Sequence, residues 1–325
     1  MKIDQLSQSN PAKNADRPSP EIPYRELYRE GLAKLTRAGD QDSRIDARIL
    51  LEEVCGTDLQ TLLVTPELAV SAERAARYRD FIRRRAQHEP TAMILGHWEF
   101  MGLPFRVTKD TLIPEQDTER LVELALEYFE SGQIRPENPD EGLRILDLCT
   151  GSGCILLSCL HYMRNGQPDG AAKSYRDIQG TGTDLSEPAL GIARHNAADL
   201  GLADCTRWLG GDLFRAVPEG ERFDLIVSNP PYIPTGVIPS LPEEVKSGEP
   251  RLALDGGGDG LSFYRRIAQE AGGMLSPSGT IMVEIGYDQG YAVTELFLGA
   301  GYRSVTVYKD YGGNDRVVVS TCLKS

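Results

Sequence analysis

The chain has 325 residues, enough for two domains and a sizeable core at about 100 to 200 residues per domain. Its 35 basic and 48 acidic residues leave a net charge of −13, a far field that repels a polyanion and argues against a nucleic-acid reader. No run approaches the roughly 18 apolar residues of a membrane span, and the opening MKIDQLSQSNPAKNADRPSP lacks the apolar core of a signal peptide, so a soluble, cytoplasmic chain is expected.

Residues 1–20 are Ser, Asn, Pro and charge, too polar to bury surface against the entropy of ordering, and read as a loose tail. A small helical domain is expected over 21–95. Tyr24, Leu27, Tyr28, Gly31, Leu32 and Leu35 recur at helical spacing; Ile45, Ile49, Leu50 and Val54 repeat the pattern. Ser71 is a candidate N-cap for a third helix running to about His88, with Ala75, Tyr78 and Ile82 inward and Arg83, Arg84 and Arg85 favouring its C-terminal end. Residues 96–113 alternate apolar and polar around a Gly-Leu-Pro turn, a hairpin linking to a second domain over 114–325. There LRILDLC (143–149), IQGTGTDLS (178–186), FDLIVSN (223–229) and GTIMVEIG (279–286) alternate with helical stretches, which implies a parallel sheet covered on both faces. SVTVYKD (304–310) and DRVVVSTC (315–322) lie too close for a helical crossover and are expected to form an antiparallel hairpin at one end of the sheet. The fold class is therefore α/β, a Rossmann-like seven-stranded sheet with a terminal hairpin and a helical N-terminal domain. Cys55, Cys149, Cys154, Cys159, Cys205 and Cys322 lack the spacing of a zinc site or a disulfide framework and read as reduced thiols, with no metal.

The chemistry sits at strand ends. Asp147-Leu-Cys-Thr-Gly151-Ser-Gly153 joins a strand to a helix, and its glycines either let backbone approach a ligand or let strand pack on helix. Asp184, 31 residues after Gly153, is placed to accept hydrogen bonds from a ribose diol; its long spacing points to an inserted loop over 165–177. Asp212 in GGDLF, after a possible third strand and ahead of Leu213, could face an adenine amino group. Three acids at successive strand ends mark where open parallel sheets bind ligands.

VSNPPYI ends the fourth strand with two residues that lack a backbone N–H. They hold the terminal carbonyl in one direction, and Asn229 adds a side-chain oxygen, so two acceptors can grip the two hydrogens of a planar NH2 group while Tyr232 offers a flat face. An amide nitrogen is a poor nucleophile because its lone pair is delocalised. Gripped so that it can pyramidalise, it can attack a sulfonium methyl group, catalysis by position and fixed dipoles without a general base.

These motifs resemble class I S-adenosylmethionine-dependent methyltransferases, and within them the peptide chain release factor glutamine-N5 methyltransferases. The resemblance covers about residues 24–325 and rests on LGHWEFMGLPFRV, LIPEQDTE, LDLCTGSG, VSNPPYI, GEPRLALDGGGDGLSFYRRI and VEIGYDQG. It implies S-adenosylmethionine as cofactor, a helical domain that helps dock a release factor, and the glutamine amide of the factor's Gly-Gly-Gln loop as acceptor. By matching positions, Asp147, Cys149, Thr150, Gly151, Ser152, Gly153, Asp184, Asp212 and Leu213 would serve the cofactor. Asn229 would touch cofactor and substrate, Pro230 would offer its carbonyl, and Pro231 and Tyr232 would meet the glutamine. Glu249 and Arg251, in a Gly- and Pro-rich segment, are expected in a wall of the peptide site. The chain departs from the family pattern at Cys149 (usually glycine), Glu115-Gln116 (usually Arg-Pro) and Leu213 (often aromatic). The competing readings are an adenine-N6 methyltransferase, which would need a basic groove and base flipping, a glutamine methyltransferase of a ribosomal protein, and a cofactor-binding protein without turnover.

Overall fold

The computed structural model describes residues 21–138, 142–165 and 177–323. The expected N-terminal tail lies outside these residues, as does the expected loop over 165–177 apart from its two ends. The chain divides into two compact units, the first ending at Ile94.

In the first unit a short antiparallel pair, β1 (Ile22–Pro23) and β2 (Ala69–Val70), accompanies α1 (Tyr24–Ala38), α2 (Ser43–Cys55), α3 (Leu59–Val64), α4 (Ala72–Arg85) and α5 (Thr91–Leu95). Tyr24, Leu27, Gly31 and Leu35 of α1 are buried, the stripe the spacing predicts. In α2 the inward face is Ala47, Leu50, Leu51 and Val54, so the expected stripe holds at Leu50 and Val54 and fails at Ile45, which is exposed. Ser71 caps α4, accepting from the Arg74 amide, and Ala75, Tyr78, Phe81 and Ile82 face inward. The helix ends at Arg85 rather than His88. The basic cluster lies in the last turn of this helix, as expected, and each of its members also has an acidic partner. Arg83 pairs with Asp80 and Arg84 with Glu89, while Arg85 is buried, donating to Asp46 at 2.6 Å and Asp40 at 3.0 Å. The third expected helix is the fourth, because α3 is too short to show a period.

The second unit contains β3 (His97–Phe100), β4 (Leu103–Arg106), α6 (Gln116–Glu130), β5 (Leu143–Leu148), α7 (Cys154–Asn165), β6 (Ile178–Asp184), α8 (Glu187–Asp199), β7 (Thr206–Gly210), β8 (Phe223–Ser228), α9 (Glu243–Gly248), α10 (Arg251–Leu254), α11 (Ser262–Glu270), β9 (Leu275–Glu284), α12 (Gly290–Gly299), β10 (Tyr302–Lys309) and β11 (Asp315–Leu323). The β3–β4 hairpin turns on Met101 and Gly102, with φ of 53° and 70°, and not on Gly-Leu-Pro. The two central residues of this turn both have positive φ, which proline cannot adopt, and Leu103 and Pro104 belong to β4. Phe100, Leu103 and Phe105 are buried in the core of this unit.

The seven-stranded sheet has the order β10-β11-β9-β8-β5-β6-β7. Strands β9 through β7 run parallel, and β11 joins antiparallel to both β10 and β9. Successive residues point to opposite faces, so Ile145, Leu225, Val227 and Met282 fill the layer under α6 and α7, and Leu146, Leu148, Ile226, Ile281 and Val283 the layer under α11 and α12. Each such fully buried side chain is worth about 1.5–3 kcal/mol. The chain leaves β5 toward β6 and β7, then returns on the other side to β8 and β9. That reversal opens a crevice beyond the carboxyl ends of β5 and β8, where ligands enter sheets of this kind.

Candidate active site

The crevice is a cavity of about 410 Å³. Its floor is the turn after β5. Cys149, Gly151 and Gly153 have φ of 57°, 55° and 80°. The two glycines do different work: a methyl group on Gly151 would meet no atom within 4 Å, while one on Gly153 would lie 2.9 Å from Trp208 and 3.2 Å from Ala193. Backbone approach is thus open at Gly151, and Gly153 is required by packing. Asn196 of α8 ties the turn to β4, donating to the Ser152 and Arg106 carbonyls and accepting from the Arg106 amide. Asp147 is fully buried below the turn, where Thr150 donates to its Oδ2 and Oδ1 has no partner; burial pushes its pKa up to about 7. It does not line the cavity.

Asp184 and Asp212 both line the cavity, and both arrive engaged. Asp184 accepts from the Gly151 amide at 2.9 Å and the Ser186 amide at 2.8 Å; burial raises its pKa against these bonds. Asp212 pairs with Arg266 at 2.8 Å, so an acid read as free to meet a ligand already has a cation. Leu213 follows in the left-handed region, φ 51°, and is buried at the cavity wall. With Cys149 it makes two side-chain-bearing residues held in a conformation that costs about 1–2 kcal/mol each, both at this one site. Burial pushes the Cys149 thiol far up and the Cys154 thiol to about 12, so neither is a nucleophile.

Asn229 and Pro231 reach the cavity from the end of β8. Among the described residues no hydrogen bond is made to Asn229 Oδ1 or to the Pro230 carbonyl, so both expected acceptors are free, while Asn229 Nδ2 donates to Thr118 at 3.2 Å. Pro230 is buried behind them. The loop is braced along its length. Ile233 and Asp255 form a bridge, the Ile233 amide donates to the Leu254 carbonyl, and Gly256 packs against the Tyr232 backbone with no room for a side chain. Gln289 donates to the Tyr232 and Gly260 carbonyls and accepts from the Gly286 amide, which gives VEIGYDQG a mechanical reason.

One cavity therefore gathers Cys149, Thr150, Gly151, Ser152, Asp184, Asp212, Leu213, Asn229 and Pro231. It does not gather Tyr232, which is half-buried beside Gly286, or Glu249, whose carboxyl is turned to the Ile113 backbone and raised to about 7 by burial. Arg251 is exposed, paired with Asp255, and outside the lining; its neighbours Pro250, Leu252 and Ala253 form that wall. Arg266, Phe263, Thr118 and residues 110–114 also line the cavity without having been singled out individually, as does Glu115, noted in the sequence only as a departure from the family pattern. Helix periodicity alone places Phe263 and Arg266 on faces, and only packing puts those faces at the site. Five cysteines are free thiols, and among the described residues no group of His, Cys, Asp or Glu is arranged to hold a metal. No helix among them is long and apolar enough to cross a membrane.

The family model for the PrmC N-terminal domain matches residues 26–96. Over 88% of its length the chain is 41% identical to the release factor glutamine methyltransferase of Agrobacterium fabrum, 92% of which is covered; that of Moorella thermoacetica is 42% identical, with 90% and 96% covered. The solved hMettl16 catalytic domain in complex with MAT2A 3'UTR hairpin 6 has a TM-score of 0.50 at 15% identity, over 80% of this chain and 86% of that one, a likeness of fold alone. Sheet order, strand-end acids and the Asn-Pro-Pro-Tyr corner make the second unit a class I methyltransferase domain. The chain belongs to the release factor glutamine methyltransferase family.

Proposed function

We propose that the protein transfers a methyl group from S-adenosylmethionine to the side-chain amide N5 of the glutamine in the Gly-Gly-Gln loop of peptide chain release factors. The observation that carries this reading is the pair of unused acceptors, Asn229 Oδ1 and the Pro230 carbonyl, at a strand end beside an acid-lined cavity.

The cavity suits a cation. Asp184, Asp212, Glu115 and Asp110 line it against the one guanidinium of Arg266 among the described lining residues. A dinucleotide pyrophosphate would need the free amides of the glycine turn, and the Gly151 amide is already given to Asp184. Bound S-adenosylmethionine supplies a methyl carbon on a positively charged sulfur. Asp184 retains lone pairs for a ribose diol, and Gly151 leaves space for the cofactor chain. Asn229 and Pro230 accept the two N–H bonds of the glutamine amide, which draws the lone pair out of conjugation and toward the methyl group. The methyl group would pass to that nitrogen with sulfur keeping the electron pair of the broken carbon–sulfur bond, and the nitrogen, made acidic, would release its proton. No side chain need act as a general base.

Purified protein should be incubated with labelled S-adenosylmethionine and, separately, a release factor, ribosomal proteins and DNA. Label on the Gly-Gly-Gln glutamine, abolished by Asn229→Ala, is the expected result. Label on DNA alone would overturn the proposal. The helical first unit is proposed to dock the release factor, and its deletion should raise KM for the factor more than it lowers kcat.

A further inference from the structure

Behind Asn229 stands a buried acid that the chemistry above does not use. Glu284 closes β9, and because Ser228 is in register with Val283 on the parallel neighbour, Glu284 is level with Asn229 and on the same face of the sheet, the face covered by α6. It is fully buried, and neither carboxylate oxygen has a hydrogen-bond partner. The neighbouring cation, Arg316, is spent on Asp117 at 2.9 Å and Asp310 at 3.0 Å. Burial pushes the Glu284 pKa up to about 8; Thr118 and Arg316 oppose the shift, and Glu115 and Asp117 add to it. A buried carboxyl with unfilled acceptors is costly, and it persists most readily where a partner is close and the group has a task.

The candidate partner is Thr118, in the first turn of α6. Its Oγ1 accepts from Asn229 Nδ2 at 3.2 Å. A threonine hydroxyl has one proton. Were it donated to Asn229, the carboxamide would have to turn over and present its NH2 to the cavity, where it could not accept a substrate N–H. Donated to Glu284 it fills an empty acceptor, and Asn229 is left with one orientation. We propose, resting on the glutamine-methylating reading above, that Glu284 is a positioning residue: by taking the Thr118 proton it fixes the Asn229 carboxamide with Oδ1 toward the acceptor nitrogen. In this structure the Thr118 hydroxyl does not reach hydrogen-bonding geometry with Glu284, and the proposed bond requires a small rotation of either side chain.

Four variants test this with a release factor and labelled S-adenosylmethionine. Thr118→Val and Glu284→Leu should each lower kcat by roughly ten- to a hundredfold, with KM for the factor and cofactor affinity within about threefold. Thr118→Ser and Glu284→Gln, which keep a hydroxyl and an acceptor oxygen, should stay within about threefold of the parent. The double variant Thr118→Val/Glu284→Leu should be no worse than the poorer single one, because both break the same chain of bonds. Should Glu284→Leu fail to fold, Thr118→Val with its serine rescue decides alone. Full kcat in Thr118→Val, or losses that multiply in the double variant, would overturn the positioning role. A parent enzyme that leaves glutamine unlabelled would instead sink the assigned reaction, so the two failures are distinguishable.

Discussion

The two glycines of the turn after β5 share a backbone conformation and differ in surroundings, so alanine at each separates ligand approach from packing. Both have positive φ, 55° at Gly151 and 80° at Gly153. Alanine there costs about 1–2 kcal/mol in the left-handed region, less about 0.4–1 recovered from the unfolded chain, a net of about 1 kcal/mol. Gly151→Ala meets no protein atom within 4 Å, so that net is the whole cost to folding, and its methyl occupies space in the cavity. Gly153→Ala adds a contact at 2.9 Å to the Trp208 ring and 3.2 Å contacts to Ala193 and Leu157, overpacking that costs about 1–3 kcal/mol more. Urea unfolding should therefore rank the chains parent, Gly151→Ala, Gly153→Ala, with total losses of about 1 and about 2–4 kcal/mol. Equilibrium binding of S-adenosylmethionine should rank them differently, with Gly151→Ala losing at least tenfold and folded Gly153→Ala losing less. If Gly153→Ala folds as well as Gly151→Ala but binds worse, the division of labour between the glycines is wrong.

Arg85→Ala should destabilise the helical unit by about 3–5 kcal/mol, because it strands the buried Asp46 and Asp40, whereas Arg79→Ala, which breaks an exposed pair with Glu30, should cost no more than about 1 kcal/mol; equal losses in chemical unfolding would contradict this. Asp147 carries a folded pKa of about 7 against an ordinary 3.8, so the stability tied to its neutral form is whole below about pH 4 and is lost as pH rises to 7. The parent should lose up to about 1.4 kcal/mol per pH unit across that window relative to Asp147→Asn, and a stability difference that ignores pH between 5 and 8 refutes the assignment. Gln289→Leu leaves the Gly286 amide and Tyr232 carbonyl without this partner; a stability loss of about 1–3 kcal/mol and a fall in kcat with unchanged cofactor affinity are expected, to be read from unfolding and initial rates together.

Local chemistry accounts for what was legible from the chain. The Ser71 cap, the α1 stripe, the parallel strands and the terminal hairpin depend on neighbours in sequence, through a side chain reaching its own backbone, a period of 3.6 or 2, or a connection too short for a crossover. Asn229-Pro230-Pro231 was legible for the same reason, since proline's missing N–H is a property of the residue and not of its surroundings. The Gly-Leu-Pro turn misled because three turn-forming residues in a row do not say which pair carries positive φ; the twist of β3 and β4 selects Met101 and Gly102.

The rest was decided between residues far apart in the chain. Asp212 reads as a free acid until α11 brings Arg266 beside it, and Arg85 reads as a surface cation until α2 supplies Asp46. Thr118, Asn229 and Glu284 stand 111 and 55 residues apart along the chain, on a helix and two strand ends, and no period or motif links them. The sequence by itself determined which groups this protein carries and the local shapes that hold them. Only the tertiary structure decided which of those groups are satisfied by one another and which remain for a ligand, because burial and hydrogen-bond partnership are set by the contacts that folding makes and not by the identity of any one side chain.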